Sequence, residues 1–223
     1  MGMNCGCPVG AHLADLSIAE CKESFGQIQK ILIQRQFNEA GLRNSISSTD
    51  IKTKSGMTSY LTADDSSKII VSPFIQNPTT TPGEARTFGG GNQTLGGIEI
   101  VIGREPTTFE GIIYQEKQST IATMKTYSCE EIGVYLIDEN GNIGAITNDN
   151  GANYMPIPIR SFFVGDKNLG GYEEPDSNSI RWSFLPNWSD KLVIINQADG
   201  FNYNPLTDLA NAVSTTPVQP IGG

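Results

Sequence analysis

The sequence contains few of the side chains on which catalysis usually depends. Its 223 residues include one histidine, His12, with only four cysteines and two tryptophans. A Ser-His-Asp or Cys-His arrangement would have to use His12, and no nucleophile-elbow or other catalytic signature surrounds it. We therefore predict that the protein is not an enzyme, and we assign it no catalytic, cofactor-binding or metal-binding residues.

Charged residues are also scarce, and most of them are acidic. They make up 17% of the chain, below the roughly 25% of an average soluble domain, and the formal net charge is -9. Lysine and arginine form no cluster that could displace counterions from nucleic acid. The composition argues against tight binding to nucleic acid and predicts solvated faces built from Thr, Ser, Asn and Gln.

Long apolar runs are absent as well. The longest, at 98–102 (interrupted by Glu99) and 192–195, are far too short to cross a bilayer. The first twenty residues lack both a basic start and a continuous apolar segment, so we predict no secretory signal. We expect a protein without membrane association that is made in a cytoplasm.

Three of the four cysteines lie near the histidine in the N-terminal segment. Cys5, Cys7, Cys21 and His12 would make a Cys3His ligand set. Their spacing differs from that of a zinc module, in which cysteine pairs typically lie two to four residues apart. Reduced thiols, packed or exposed, are the favoured interpretation, and zinc binding is the alternative.

Isoleucine and turn-forming residues are abundant. The chain has 25 Ile against 12 Leu, together with 24 Gly and 12 Pro. Branched side chains such as Ile lose χ1 freedom in a helix and pack well on a pleated sheet. We therefore predict a mainly β protein, a β-sandwich or barrel with one flanking α-helix, long loops and extended termini.

The predicted organisation is one domain between two arms. The predicted parts are an N-terminal arm at 1–26, a β-sandwich domain at 27–200 with a long insertion loop at 37–67, and a C-terminal arm at 201–223. Eight to ten strands are expected where apolar and polar residues alternate between turn signals. The clearest are 27–36, 68–75, 97–103, 106–114, 132–138, 142–147, 157–164, 179–185 and 191–195.

One helix is strongly indicated and others are weaker. Residues 114–131 lack Gly and Pro and place Ile121 and Met124 at helical spacing. A short helix is expected within 11–21, a helix start at 62–65, and a further short helix near the end of 200–212. Between strands, 76–83 is expected to form a turn-rich connection.

Three loops resemble ligand-binding motifs but lack key residues. Residues 91–96 have the glycine spacing of a phosphate-binding loop, yet Gly97 stands where the lysine is needed. Thr94 stands where a dinucleotide fingerprint needs its third glycine. The turns at 138–141 and 148–151 resemble fragments of a calcium loop without its bidentate glutamate. We interpret all three as loops and turns.

Acidic pairs and an aromatic cluster also have two interpretations. The pairs at 130–131 and 173–174 could serve as a glycosidase pair, but they flank turns or a helix end, and solvated charges are favoured. Trp182, Phe184 and Trp188 could form a patch for sugar or a partner. Trp182 and Phe184 share one strand face, so core packing is favoured.

The segments from residue 27 onward occur in a recognisable order. In sequence they are QIQKILIQRQ, SKIIVSPF, TPGEARTFGGG, GIEIVIG paired with TTFEGIIYQ, QSTIATMKTYSCEE and GVYLIDENGNIGAI. This order resembles virion structural proteins of phages that infect Bacteroidetes-type bacteria, in particular tail tube (major tail) proteins. The cysteine-bearing N-terminal arm has no counterpart in that pattern.

The resemblance implies a structural role in the virion. Tail tube proteins are β-sandwiches or barrels with one flanking helix, and they assemble into stacked rings, usually hexameric. Inner strands would surround a lumen through which DNA passes without specific binding, which suits a negatively charged chain. Loops and termini would clamp one ring to the next.

We accordingly predict a protein of the virion tail, made in the cytoplasm of a bacterial host. Its partners would be further copies of itself, in a ring taken as a hexamer, and other virion proteins. The contact regions are predicted at 88–97 in the glycine loop, at 44–60 in the long insertion, and in the terminal arms. The alternatives are another virion component (head-completion, collar or capsid-decorating protein) and a carbohydrate-binding module.

Overall fold

The fold is given by a computed structural model that describes residues 25–211. Strands in this range are β1 (Ile28–Arg35), β2 (Ile46–Ser47), β3 (Ile69–Val71), β4 (Gln76–Thr81), β5 (Ala85–Gly89), β6 (Glu99–Arg104), β7 (Thr107–Tyr114), β8 (Ile132–Asp138), β9 (Ile143–Ile146), β10 (Asn153–Tyr154), β11 (Ile157–Val164), β12 (Ser177–Phe184) and β13 (Leu192–Ile195). The α-helices there are α1 (Lys54–Thr62) and α2 (Gln118–Thr126), and 3-10 turns lie at Leu95–Gly97, Tyr127–Cys129 and Trp188–Lys191. The protein is mainly β, as predicted.

Nine of these strands form one antiparallel sheet. Its order is β13-β9-β8-β11-β12-β7-β4, and β1 pairs with the other edge of β8 and with β3. The predicted hairpin of β8 and β9 across the turn at 139–141 is confirmed. Adjacent segments of the chain therefore supply much of the sheet, while β1 and β8 join distant parts of the sequence.

Two corner segments fold this sheet over itself. β11 pairs with β8 through Ile157 and Pro158 and with β12 from Ile159 onward, and Ser161 has a φ of 52° at a bulge within the β11–β12 pairing. At the opposite corner, β3 pairs with β1 and β4 pairs with β7. Between them, the Ile75 N–H donates to the Gln29 carbonyl at 2.7 Å. Strands that switch sheets at bends in this way close a barrel-like sandwich.

Two hydrophobic cores lie on opposite faces of β1 and β8. The first is enclosed by the folded sheet and α2, and its largest side chain, Trp182, stacks on Phe109 at 3.9 Å between ring centroids. The predicted stripe of Ile121 and Met124 faces this core. The second core is covered by α1 and by residues 201–209, which contribute Tyr203. The sheet is therefore a shared wall, and both of its central faces are removed from water.

The insertion predicted as irregular contains β2 and α1. Residues 62–65 end this helix rather than start one, so the predicted helix entry there is wrong. The helix begins after Thr53, whose hydroxyl accepts from the Gly56 N–H at 3.3 Å. Met57 and Leu61 are its buried residues, so packing on the second core stabilises a segment whose own apolar stripe is weak.

Some other predicted elements differ from the structure. Residues 76–81 form β4 rather than part of a turn; this strand is exposed and carries Pro78, which an outer strand tolerates because it needs fewer N–H donors. The strand at 99–104 pairs with β5 and not with β7, which pairs with β12 and β4. Residues 200–211 form no helix. The helix expected within 11–21 lies outside the described residues.

A buried tyrosine ties the central sheet to the second core. The Tyr135 hydroxyl lies 3.0 Å from Gln34 Oε1 and 3.1 Å from the Tyr154 carbonyl oxygen. Complete burial raises the pKa of Tyr135 well above its usual value, so the hydroxyl stays protonated and can donate.

We predict that Tyr135→Phe lowers the free energy of unfolding by about 1–3 kcal/mol, because it leaves buried acceptors without their donor. Urea denaturation followed by tryptophan fluorescence measures the change. Tyr172→Phe is the matched control, since Tyr172 is fully exposed. Equal stability of the two variants would contradict the assigned role of the Tyr135 hydroxyl.

Candidate interaction surface

Residues 85–104 form a hairpin, β5 and β6, that belongs to neither half of the folded sheet. We call it the projecting hairpin. Among residues 25–211 its two strands pair only with each other, from Ala85 opposite Arg104 to Gly89 opposite Glu99, with a bulge after Arg86. A two-stranded hairpin alone is marginally stable in water, so its conformation depends on what holds its base and on what covers its faces.

The base of the projecting hairpin is fixed by polar contacts. Arg104 Nη1 donates to Asn187 Oδ1 at 2.8 Å, which links β6 to the loop after β12. Arg86 Nε lies 3.3 Å from Glu105 Oε1, and the Glu105 N–H donates to the Glu84 carbonyl at 2.8 Å. These exposed contacts orient the hairpin, but exposed ion pairs contribute little free energy.

Large apolar side chains on the projecting hairpin face solvent. The five that are 53–66% exposed are Phe88, Ile98, Ile100, Val101 and Ile102. Phe88 and Ile100 lie directly opposite each other on the two strands. Single exposed apolar residues are normal, whereas a contiguous set on one element marks an interaction site.

The tip of the projecting hairpin is shaped by glycine. Gly89 has a φ of 118°, and a Cβ there would lie 2.3 Å from the Ile98 carbonyl oxygen, so no other residue fits. Thr94 Oγ1 donates to the same carbonyl at 2.6 Å. The predicted glycine loop is thus a hairpin tip, in agreement with the turn interpretation of 91–96.

The second predicted contact region, 44–60, packs largely on its own domain. Ile46, Ile51 and Met57 are fully buried in the second core. What it presents to solvent is polar, chiefly Ser55, Thr58 and Ser59 of α1. The exposed part of this region is therefore an ordinary solvated helix face, and it lacks the exposed apolar side chains of the projecting hairpin.

The acidic pairs do not converge on a shared site. Glu130 pairs with Arg35 at 2.8 Å, and Glu131 lies 3.8 Å from Arg160. Residues 173–174 are exposed in a bend. Each of the helix-end carboxylates has its own arginine, and neither stands in the apolar pocket that would make it a general acid.

The two turns that resemble calcium loops use their carboxylates internally. Asp138 accepts from the Asn140 and Asn142 N–H groups at 2.9 and 2.8 Å, and from Asn142 Nδ2. Hydrogen bonds from Asn153 lower the pKa of Asp149. Between residues 25 and 211 no group of three or more His, Cys, Asp or Glu side chains could hold a metal ion. Cys5, Cys7, Cys21 and His12 lie outside that range.

The aromatic cluster belongs to the first core. Trp182 and Phe184 are buried, and Trp188 is half-buried and stacks on Phe184 at 4.2 Å between centroids. The expected core packing of Trp182 and Phe184 is confirmed, and these two rings are not available as a sugar-binding platform. No described helix is long and apolar enough to span a membrane.

Comparison with known proteins gives weak structural likenesses. No protein-family model and no curated protein matches the sequence. The chain is similar to one from the tail of an empty gene transfer agent (GTA) particle, at 13% identity over 56% of this chain and 85% of that chain, with a TM-score of 0.33. It is similar to a chain of the six-fold symmetrised baseplate of the anti-feeding prophage, at 7% identity over 79% and 98%, with a TM-score of 0.32. For an Hcp protein the identity is 12% over 77% and 95%, and the TM-score is 0.25. Identities and TM-scores this low carry no argument about function.

We predict that Phe88→Ser and Ile100→Ser each change the free energy of unfolding of the isolated chain by less than about 0.5 kcal/mol, because neither side chain belongs to either hydrophobic core. Ile113→Ser, in the first core, is the matched control and should cost about 3 kcal/mol or more. Denaturation at low protein concentration measures all three. A large loss of stability for Ile100→Ser would show that the hairpin is part of the domain core.

Proposed function

We propose that the protein is a non-enzymatic structural protein of the virion that assembles into stacked rings and forms a tail tube for the passage of DNA. The observation that carries this proposal is the projecting hairpin, which exposes a contiguous apolar surface on an element that its own domain does not cover. The order of sequence segments that resembles tail tube proteins supports the same assignment.

The physical argument starts from the cost of leaving the projecting hairpin in water. Burial of apolar surface contributes about 25 cal/mol per Å². Burying Phe88, Ile98 and Ile100 against a partner would therefore stabilise the complex relative to the separate chains. Four of the five residues at 98–102 are exposed apolar residues, and the fifth, Glu99, carries the only charge in this segment. A second copy of the chain supplies such a partner at every contact in a ring.

The outer strand of the sheet supports the same assembly. Beyond its contact at Ile75, β4 has no partner strand among the described residues on the edge away from β7, and Thr79, Thr80 and Thr81 are exposed. Exposed strand edges pair readily with another chain. A neighbour pairing there would extend the sheet from one subunit to the next.

The outward face of that sheet suits a passage for DNA. It carries Ser179 and Thr79, and its charges include Arg181 and Glu110, whose side chains lie 4.0 Å apart. Because Arg181 lies beside both Glu110 and the exposed Phe163 ring, this face offers few free cations to phosphates, and the net charge of -9 disfavours binding. We propose that this face lines the lumen.

The remaining details of the proposal come from the resemblance. The ring is proposed as a hexamer in the virion tail, in contact with other virion proteins and made in the cytoplasm of a Bacteroidetes-type host. The projecting hairpin is proposed to join one subunit to the next.

Assembly of the purified protein tests the proposal. We expect the wild-type chain to form rings or tubes by negative-stain electron microscopy, and Ile100→Ser to shift it to monomer by size-exclusion chromatography with light scattering. Leu169→Ser is the matched control, because Leu169 is 75% exposed but lies outside the projecting hairpin. Small closed oligomers without tubes would favour another virion component. A wild-type monomer at high concentration would refute self-assembly.

A further inference from the structure

The loop between β11 and β12, residues 165–176, is held firmly at its root. Asn168 and Ser177 exchange two backbone hydrogen bonds, at 2.7 and 3.0 Å. Asp176 Oδ1 accepts from the Gly170 N–H at 2.9 Å, which ties the end of the loop to its middle. The loop is therefore preformed, and a contact made through it costs little conformational entropy.

The tip of this loop, residues 169–174, projects into solvent. Tyr172 is fully exposed, and Leu169 is 75% exposed. The tip has the sequence LGGYEE, so it carries two carboxylates and no cation. A tyrosine offers a large amphipathic contact area at a low entropic cost, which is why tyrosines are common at interfaces. We call residues 169–174 the acidic tip.

The charge of the acidic tip disfavours contact between two tips. Glu173 and Glu174 of one copy would lie against the same two residues of the other, and like charges brought together in an interface cost free energy. The surface that receives the tip must therefore differ from the tip itself. Contacts between two different surfaces of identical chains are head-to-tail, and they generate rings or open stacks rather than closed pairs.

The proposed assembly leaves the ends of the strands free for contacts along the tube. Its subunits join within a ring through strand edges, so the ends of β7 and β12 point toward the adjacent rings. At one end Tyr114 lies opposite Ser177, and β12 is entered from the acidic tip. At the other end Thr107 lies opposite Phe184, and the chain continues into residues 185–191. In a stack of equally oriented rings, these two ends face each other.

The end of the strands opposite the acidic tip offers an apolar and a cationic group. Leu185 directly follows β12 and is 38% exposed. Arg104 is exposed and is oriented by Asn187 Oδ1, which accepts from its Nη1 at 2.8 Å. The nearby carboxylate of Glu105 is paired with Arg86 at 3.3 Å. A guanidinium fixed in this way is suited to binding a carboxylate. We call Leu185 and Arg104 the receiving surface.

We propose that the acidic tip of each subunit docks on the receiving surface of a copy in the adjacent ring, and that this contact stacks the rings into a tube. Tyr172 packs on Leu185, and a carboxylate of the tip pairs with Arg104. The inference rests on the proposed function and adds the contact between rings. Within a ring, the projecting hairpin and the edge of β4 join the subunits.

Negative-stain electron microscopy of the full-length protein tests the role of the acidic tip. We expect Tyr172→Ser to lower the fraction of rings found in tubes by about tenfold or more, while light scattering still gives the mass of a ring. Tyr172→Phe keeps the aromatic side chain and is the matched control, which should form tubes as the wild type does. Because Tyr172 is fully exposed, neither change disturbs the folded subunit. Leu169→Ser removes a smaller part of the tip, so it should reduce tubes without releasing monomers.

A charge swap tests the receiving surface. We expect Leu185→Glu to lose the tubes, because it places a carboxylate opposite those of the acidic tip, and Leu185→Lys to retain more of them. When Glu173→Lys and Glu174→Lys are present in the same chain, the order should reverse, so that Leu185→Glu gives more tubes than Leu185→Lys. A merely structural effect at position 185 would not change order with the charge of the tip.

The outcomes separate this contact from the proposed function. Tubes that persist in Tyr172→Ser, or an order at position 185 that the tip substitutions do not reverse, would overturn the docking. Release of monomers by Tyr172→Ser would also overturn it, because the tip would then hold the ring itself together. Wild-type rings that do not stack at high concentration would refute this contact alone. A wild-type chain that stays monomeric would refute the ring and the contact with it.

Discussion

β1 and β8 pair over seven positions in the middle of the sheet, and both faces of this pair are buried. Successive side chains therefore enter opposite cores, Leu136 one and Tyr135 the other. A sheet covered on both faces requires an apolar residue at nearly every position, which is what IGVYLID supplies. The exceptions are Gly133 and Asp138. A Cβ at Gly133 would lie 2.9 Å from the Ile157 carbonyl oxygen where β11 crosses to β8, and Asp138 ends the strand with hydrogen bonds to the turn that follows.

This double burial determines which other parts of the chain must be ordered. The folded sheet and α2 cover one face of the β1–β8 pair. The other face is covered by α1, by the two-stranded pair of β2 and β10, and by residues 201–209. A long insertion and a chain end, both polar in composition, are therefore structural parts of the subunit through a few apolar contacts such as Met57 and Leu206.

Local pattern was sufficient to predict the elements whose residues carry their own signal. Ile157–Val164, the β8–β9 hairpin and the buried stripe of α2 were predicted from alternation, a turn and helical spacing. By contrast, α1 has little apolar periodicity and forms because its few apolar residues meet the second core. β4 carries proline and three threonines, and only its pairing with β7 makes it a strand. The conformations of α1 and β4 are both determined by tertiary contacts, which cannot be read from a single sequence.

The candidate surface was predicted in position but not in form. The glycine loop at 88–97 was recognised by composition, and it does lie at the tip of an exposed element. Its strand Glu99–Arg104 was expected to pair with β7, which would have buried its isoleucines in the domain. The alternation of Ile98, Ile100 and Ile102 would look the same in a strand buried in the core and in a strand whose apolar face is exposed. The sequence alone therefore does not distinguish a core strand from an exposed one.

The strand edges explain why assembly would use one side of the molecule. On the β3 edge, Asn211 already occupies the outward groups of Val71. The β4 edge has no such cap among the described residues, and it is joined to the projecting hairpin by only residues 82–84. In the proposed ring, a neighbour that pairs with β4 would lie near the base of the projecting hairpin. Backbone bonds at β4 would fix the register between subunits, while burial of Phe88 and Ile100 would supply most of the free energy of association. Because both contributions fall on the same partner, losing the apolar contact would leave a short polar edge that is too weak to hold a ring.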